Sequence, residues 1–368
     1  MKNFLLFASS LVAASALSAC SKAQTITPEE VLDGERCELT VRLPQVFTTK
    51  TTGQTAANES MVQNVQIFVF RASQGADNGV LDACASAGFD SPLAFDASSA
   101  SYSGLSLNCT VGSREVWAVV NAPEDYTADG SVATKTALLS KVVSLSDGAP
   151  SKLLMTGSLT AGLTPGSETL SISVRRVCAS VVLESVKNDM MATAYRKPGS
   201  FKVKNVYLLN VPGKTNLALS SAPSSLDEGD WYARLKAETD ASRSALIVDR
   251  QSGVVLDYGN SYTTPHTFYS FANDCRPSRS LSWSPRATLL VVEASYGDGS
   301  FSKDCYYPIT LFNESAGKGL ESGKQYKVNL TIRRPGSDDP NKPVEFDVAG
   351  VSISVLPWES GGSYTETI

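Results

Sequence analysis

Polar and apolar residues alternate along most of this chain with a period of two. Residues 37–43 read Cys-Glu-Leu-Thr-Val-Arg-Leu. In an extended strand this order puts Cys37, Leu39, Val41 and Leu43 on one face and Glu38, Thr40 and Arg42 on the other. Residues 65–70, 115–120, 170–174, 177–186, 201–209, 287–294, 306–312, 326–332 and 351–356 read as further strands. Gly, Pro, Ser, Asn and Asp cluster between them, where they stop strands and make turns. Only 132–143 has helical spacing. Many short strands punctuated by turns predict an all-β chain of β-sandwiches, not a parallel α/β sheet. The 368 residues suffice for two domains in tandem. The polar stretch 187–200 marks the boundary, giving a sandwich over 20–186 and a second over 187–368.

The first residues break this period. Lys2 precedes an apolar run at 4–16, which is too short to span a bilayer as a mature helix, and Leu17, Ser18, Ala19 and Cys20 follow. A lipoprotein signal peptidase requires small residues just before a cysteine. Residues 1–19 therefore read as a signal peptide, and Cys20 as the lipidated N-terminus of an exported chain anchored by several acyl groups.

Charge and composition remove several functions. A net charge of −5 provides no basic stripe for nucleic acid. His266 is the single histidine, which removes most histidine catalysis and multi-histidine metal sites. No G-x-S-x-G, H-E-x-x-H, P-loop or G-x-G-x-x-G motif sits at a strand-to-helix turn. Asp338 and Asp339 lie in the turn-rich segment 334–343, with Glu345 just beyond, where aspartates satisfy nearby backbone N–H groups. No catalytic site, cofactor or metal is expected.

Beyond Cys20 there are six cysteines: Cys37, Cys84, Cys109, Cys178, Cys275 and Cys305. An even number without C-x-x-C spacing, in an exported chain, points to disulfides. Their division between the two halves pairs Cys84 with Cys109 and Cys275 with Cys305. Cys37 and Cys178 are then either bridged to each other or buried as free thiols.

Taken in order, several blocks give the chain a family likeness. Residues 65–70, 115–123 with Asn121 in the turn, 154–157 and 174–181 form the first group. Residues 267–273, 287–293, 306–309, 326–340 and 351–358 form the second. Together they resemble the fimbrillins, the subunits of type V pili. Gly323–Gln325 and Ala272 depart from the residues usual in that family.

The resemblance implies two transthyretin-like β-sandwich domains and a filament assembled by strand exchange with other fimbrial subunits. It implies a lipid-anchored precursor in the outer membrane and an adhesive fimbrium outside it. A trypsin-like protease would cut beyond the first strand, and a neighbouring subunit would fill the groove left behind. Cys37, Leu39, Val41 and Leu43 mark the removable strand. Lys50 is the only basic residue in the polar segment 44–60, which makes it the favoured cleavage point over Arg42 inside the strand. Val351, Ile353, Val355 and Trp358 mark the donor strand, which could equally be an ordinary last strand. A reading from another class is a monomeric surface lipoprotein that binds glycans, with Trp231, Tyr232 and Trp283 as its aromatic platform.

Overall fold

The computed structural model describes residues 34–44, 59, 61–73, 75–90, 93, 95–96, 101–219, 222–342, 344 and 350–358. The signal peptide, Cys20, Lys50, Glu345 and residues 359–368 lie outside the described residues. Among the described residues, no helix is long and apolar enough to cross a membrane.

The first half supplies β1 (Arg36–Pro44), β2 (Val65–Arg71), β3 (Leu81–Ala87), β4 (Phe95–Asp96), β5 (Ser101–Thr110), β6 (Gly112–Val120), β7 (Val142–Ser144), β8 (Met155–Leu163), β9 (Gly166–Ser171) and β10 (Arg175–Arg176). Two sheets result, in the orders β4-β5-β1-β9 and β10-β8-β6-β2-β3. Their inner faces meet in one core, where Leu39 and Val41 join Ile67, Val116 and Met155.

The second half supplies β11 (Ala179–Asn188), β12 (Phe201–Leu209), β13 (Val211–Pro212), β14 (Lys214–Asn216), β15 (Trp231–Tyr232), β16 (Val248–Val255), β17 (Ser261–Tyr262), β18 (His266–Ser270), β19 (Leu289–Gly297), β20 (Ser302–Thr310), β21 (Lys324–Ile332) and β22 (Val351–Pro357). One sheet runs β17-β11-β21-β22, with β18 also paired to β11, and the other runs β16-β12-β19-β20. Val181, Phe268 and Val328 of the first pack in one core with Val206, Val292 and Tyr307 of the second. The fold is all-β, two sandwiches in tandem.

That second core continues into the first half. Phe68, Phe70 and Val119, on the outer face of the β2 sheet, belong to it together with Tyr126, Leu138 and Val143 of the connection after β6. The short pair β7–β14 adds backbone hydrogen bonds between the halves.

Three expectations are corrected. Strand β11, assigned to the first domain, pairs among the described residues only with β17, β18 and β21. The division therefore falls between β10 and β11, because the backbone partners of 179–188 all lie in the second half. The helix expected over 132–143 is one turn, α1 (Lys135–Leu139), capped by the Thr134 hydroxyl accepting from the Ala137 N–H. The β-branched Val142 and Val143 that follow pair as a strand instead.

The third correction concerns the thiols. All six described cysteines are buried. Cys84 belongs to the core on the outer side of its sheet and Cys109 to the core between the first two sheets, so the sheet itself separates them. The same division separates Cys37 from Cys178. Cys305 packs in the second core, whereas Cys275 lies outside both clusters, in the loop after Asn273.

Candidate functional site: the first strand, its slot and the last strand

β1 occupies the interior of its sheet. On one side it runs antiparallel to β5, with Cys37 opposite Cys109, Leu39 opposite Leu107 and Val41 opposite Leu105. On the other it runs parallel to β9, from Cys37 beside Gly166 to Arg42 beside Ser171. The alternation read from sequence is realised: Cys37, Leu39, Val41 and Leu43 are all buried, while Glu38 and Arg42 are exposed. The outer face is held lightly, by a 3.0 Å contact between the Thr40 and Ser106 hydroxyls and a 3.2 Å bond from Ser167 Oγ to Glu38. Without β1, the facing edges of β5 and β9 would be unpaired over an apolar trough, a site ready for another extended strand.

The backbone at Arg42 is engaged on the β9 side. Its carbonyl accepts from the Ile172 N–H at 3.0 Å, and the ladder with β5 carries a bulge between Val41 and Leu43. A protease binds an extended, unpaired backbone, so Arg42 is protected within the sheet.

The chain re-enters the described structure at Glu59 and is pinned before β2. Asn121, at the end of β6, adopts a left-handed backbone with φ 59°, which asparagine tolerates better than most residues. Its side chain accepts from the Gln63 N–H at 2.7 Å and donates to the Met61 and Leu153 carbonyls at 2.8 and 3.0 Å. One residue thereby fixes the far end of the β1–β2 connection.

β22 contrasts with β1. It pairs antiparallel with β21, from Lys324 opposite Pro357 to Leu330 opposite Val351, and ends its sheet. Ile353 and Trp358 are buried, whereas Val351 and Val355 are half-buried. Trp358 closes the strand by donating its N–H to the Gly323 carbonyl at 3.0 Å.

The Trp358 ring sits in a buried node that joins both halves. The Arg176 guanidinium lies 4.3 Å from the ring centre, and Tyr269 stacks on the ring at 5.9 Å. Arg176 donates to the Glu59 carbonyl at 3.0 Å, and the Tyr269 hydroxyl donates to the Glu59 carboxylate at 2.5 Å. Burial pushes the Glu59 carboxyl above its ordinary value, against the opposing pull of the Tyr269 hydroxyl and the Arg176 charge. The anchor of the last strand thus rests against the residue that ends the β1–β2 connection. Reading the sequence identified Trp358 but missed Glu59, Arg176 and Tyr269.

Remaining sequence candidates take structural places. His266 is buried, with Nδ1 2.6 Å from the Asp249 carboxylate and its ring stacked on Tyr262. Asp338 pairs with Lys342 at 3.1 Å, and Asp339 accepts from the Asn341 N–H at 2.8 Å. Trp231 and Tyr232 are buried, so they form no platform; Trp283 packs edge-on against Trp231. Among the described residues, no group of acidic, histidine and cysteine side chains could hold a metal ion.

The architecture has counterparts among solved structures. The fold is that of the fimbrilins. A fimbrilin from Porphyromonas gingivalis W83 superposes with a TM-score of 0.59 at 15% identity, covering 88% of this chain and 98% of its own. A candidate cell adhesion protein from Bacteroides eggerthii DSM 20697 gives 0.63 at 21%, covering 88% and 97%. Another, from Parabacteroides distasonis ATCC 8503, gives 0.61 at 17%, covering 88% and 100%. No family model and no curated protein matches the sequence. At these identities the likeness establishes the fold, and the fimbrilin fold is the frame in which β1 and β22 are read below.

Proposed function

We propose that this chain is a structural subunit of a cell-surface fimbria, built by exchange of strands between copies or related subunits, and that the fimbria supports adhesion. The precursor is exported with residues 1–19 as signal peptide and is held in the outer membrane by lipid on Cys20. A trypsin-like protease cuts the β1–β2 connection after Lys50, since Arg42 is locked in the ladder. β1 then leaves, and the segment from Val351 onward of a neighbouring subunit takes its slot.

One observation carries this reading. β1 is an interior strand with a buried apolar face, yet a single stretch of chain ties it to β2. The proposed donor repeats the required pattern: Val351, Ile353 and Val355 fall at every second position, as Leu39, Val41 and Leu43 do. Pro357 lacks an N–H and ends the run of usable ladder positions.

The test is limited trypsin digestion of the folded chain, followed by N-terminal sequencing and electron microscopy. The expected result is a new N-terminus at Thr51, followed by filaments or ladders. A chain that is cut there and remains monomeric under all conditions overturns strand exchange.

A further inference from the structure

Cys37 and Cys109 stand directly opposite each other in the antiparallel β1–β5 ladder. Both are fully buried, and Cys109 Sγ lies 3.7 Å from the Cys37 carbonyl oxygen. Directly opposed residues in such a ladder have Cα atoms about 4.5–5.5 Å apart. A disulfide spans Cα separations of about 4.4–6.8 Å, so rotation of the two side chains suffices to bring the sulfurs together. Cys84, Cys178 and Cys305 belong to the other core and Cys275 to neither, which leaves this as the pair set face to face by the fold.

We propose that Cys37 and Cys109 form a redox staple on the removable strand. Oxidised, they hold β1 in its slot even after the chain is cut, and the subunit cannot accept a donor. Reduced, β1 is free to leave. The staple rests on the strand-exchange reading and adds a covalent control to it: a stapled subunit ends or anchors a filament, and an unstapled one extends it.

The chemistry is thiol–disulfide exchange with a disulfide-bearing oxidant. One cysteine thiolate attacks a sulfur of the oxidant, forms a mixed disulfide and displaces the oxidant's other sulfur as a thiol; the second attacks the first cysteine's sulfur and expels the remaining sulfur of the oxidant as a thiol. Two S–H bonds of the chain and the S–S bond of the oxidant break, one S–S bond forms in the chain, and the two electrons and two protons end on the oxidant's two thiols. Timing follows from burial. In the folded chain burial raises the Cys37 thiol above its ordinary value and pushes Cys109 up to about 12, so neither offers thiolate or access. The choice is therefore made while the exported chain folds, before β1 closes over the core, and is kept afterwards.

The experiment uses the full chain with Cys20→Ser, refolded once with oxidised glutathione and once with dithiothreitol. Each sample is mapped by mass spectrometry without reduction, then cut with trypsin and run on a denaturing gel without reductant. The oxidised sample is expected to yield a linked Cys37–Cys109 peptide. Its cleaved β1 fragment should stay attached on the gel until reduced, and its filament yield should be at least tenfold lower than that of the reduced sample. Cys109→Ala and Cys37→Ala should each erase the dependence on oxidant, so the proposal does not rest on one variant folding. A free Cys37 in the oxidised, folded chain, or Cys37 joined to another cysteine, overturns the staple and leaves strand exchange standing. A linked peptide with no filaments from the reduced, cleaved chain supports the staple's chemistry and overturns strand exchange instead.

Discussion

β1 and β11 hold equivalent places in their two sandwiches. Each has a parallel neighbour on one side, β9 or β21, and antiparallel pairing on the other, from β5 or from β17 and β18. They differ in burial and in connection. β1 is buried on alternate residues, whereas β11 is buried on both faces from Ala179 to Leu183. β11 runs on from β10 and continues to β12, so the chain holds it at both ends. One cut between β1 and β2 separates β1 from the rest of the described strands. Packing does not make β1 loose: Leu39, Val41 and Leu43 contribute roughly 1.5–3 kcal/mol each, together comparable to the roughly 5–15 kcal/mol that holds a whole domain. Under the proposed strand exchange, connection makes β1 replaceable, and its packing requires that a replacement arrive.

A charge placed in each strand breaks the equivalence most forcefully. Leu39→Asp and Val181→Asp both put a carboxylate at a fully buried position, at a cost of about 4–5 kcal/mol or more. Urea denaturation should show both intact variants strongly destabilised. After cleavage, a wild-type donor peptide should rescue Leu39→Asp, because the damaged strand is discarded. Val181→Asp should stay destabilised. Equal rescue of both, or of neither, would contradict the distinction between the strands.

A smaller effect probes the place where the β1–β2 connection meets the last strand. The Glu59 carboxyl is raised in the folded chain, chiefly by burial. Below its ordinary value of 4.5 both folded and unfolded forms are protonated, and its contribution to stability is fully present. As pH rises past 4.5 the unfolded chain releases the proton first, and that contribution falls until the pH passes the raised folded value. Glu59→Gln should flatten this part of a plot of melting temperature against pH. An unchanged slope would mean that Glu59 does not report on the node.

Much of this was legible in the sequence, for identifiable reasons. Strict alternation in 37–43 is the signature of one buried face, and it fixed the inward residues of β1 correctly. The dense apolar run at 177–186 is the signature of a strand covered on both sides, but it carries no information about which sheet receives it, so β11 was placed in the wrong half. β3 and β5 were overlooked because Ala, Ser, Gly and Asn dominate them, and their strand character comes from neighbours on each side. Chain distance likewise carries no information about the sheet that separates Cys84 from Cys109. The node of Glu59, Arg176, Tyr269 and Trp358 draws on four distant segments, and no local pattern announces it.

The central claim, that β1 is a replaceable filler of a specific slot, has a direct measurement. The chain is cut between β1 and β2 under reducing conditions, and a fluorescent peptide of residues 350–368 is added while its anisotropy is followed. The account predicts slow, saturable binding with one peptide per chain, release of the β1 fragment in step, and competition by unlabelled peptide 34–44. A cleaved chain that keeps its β1 fragment and leaves the labelled peptide free would contradict it.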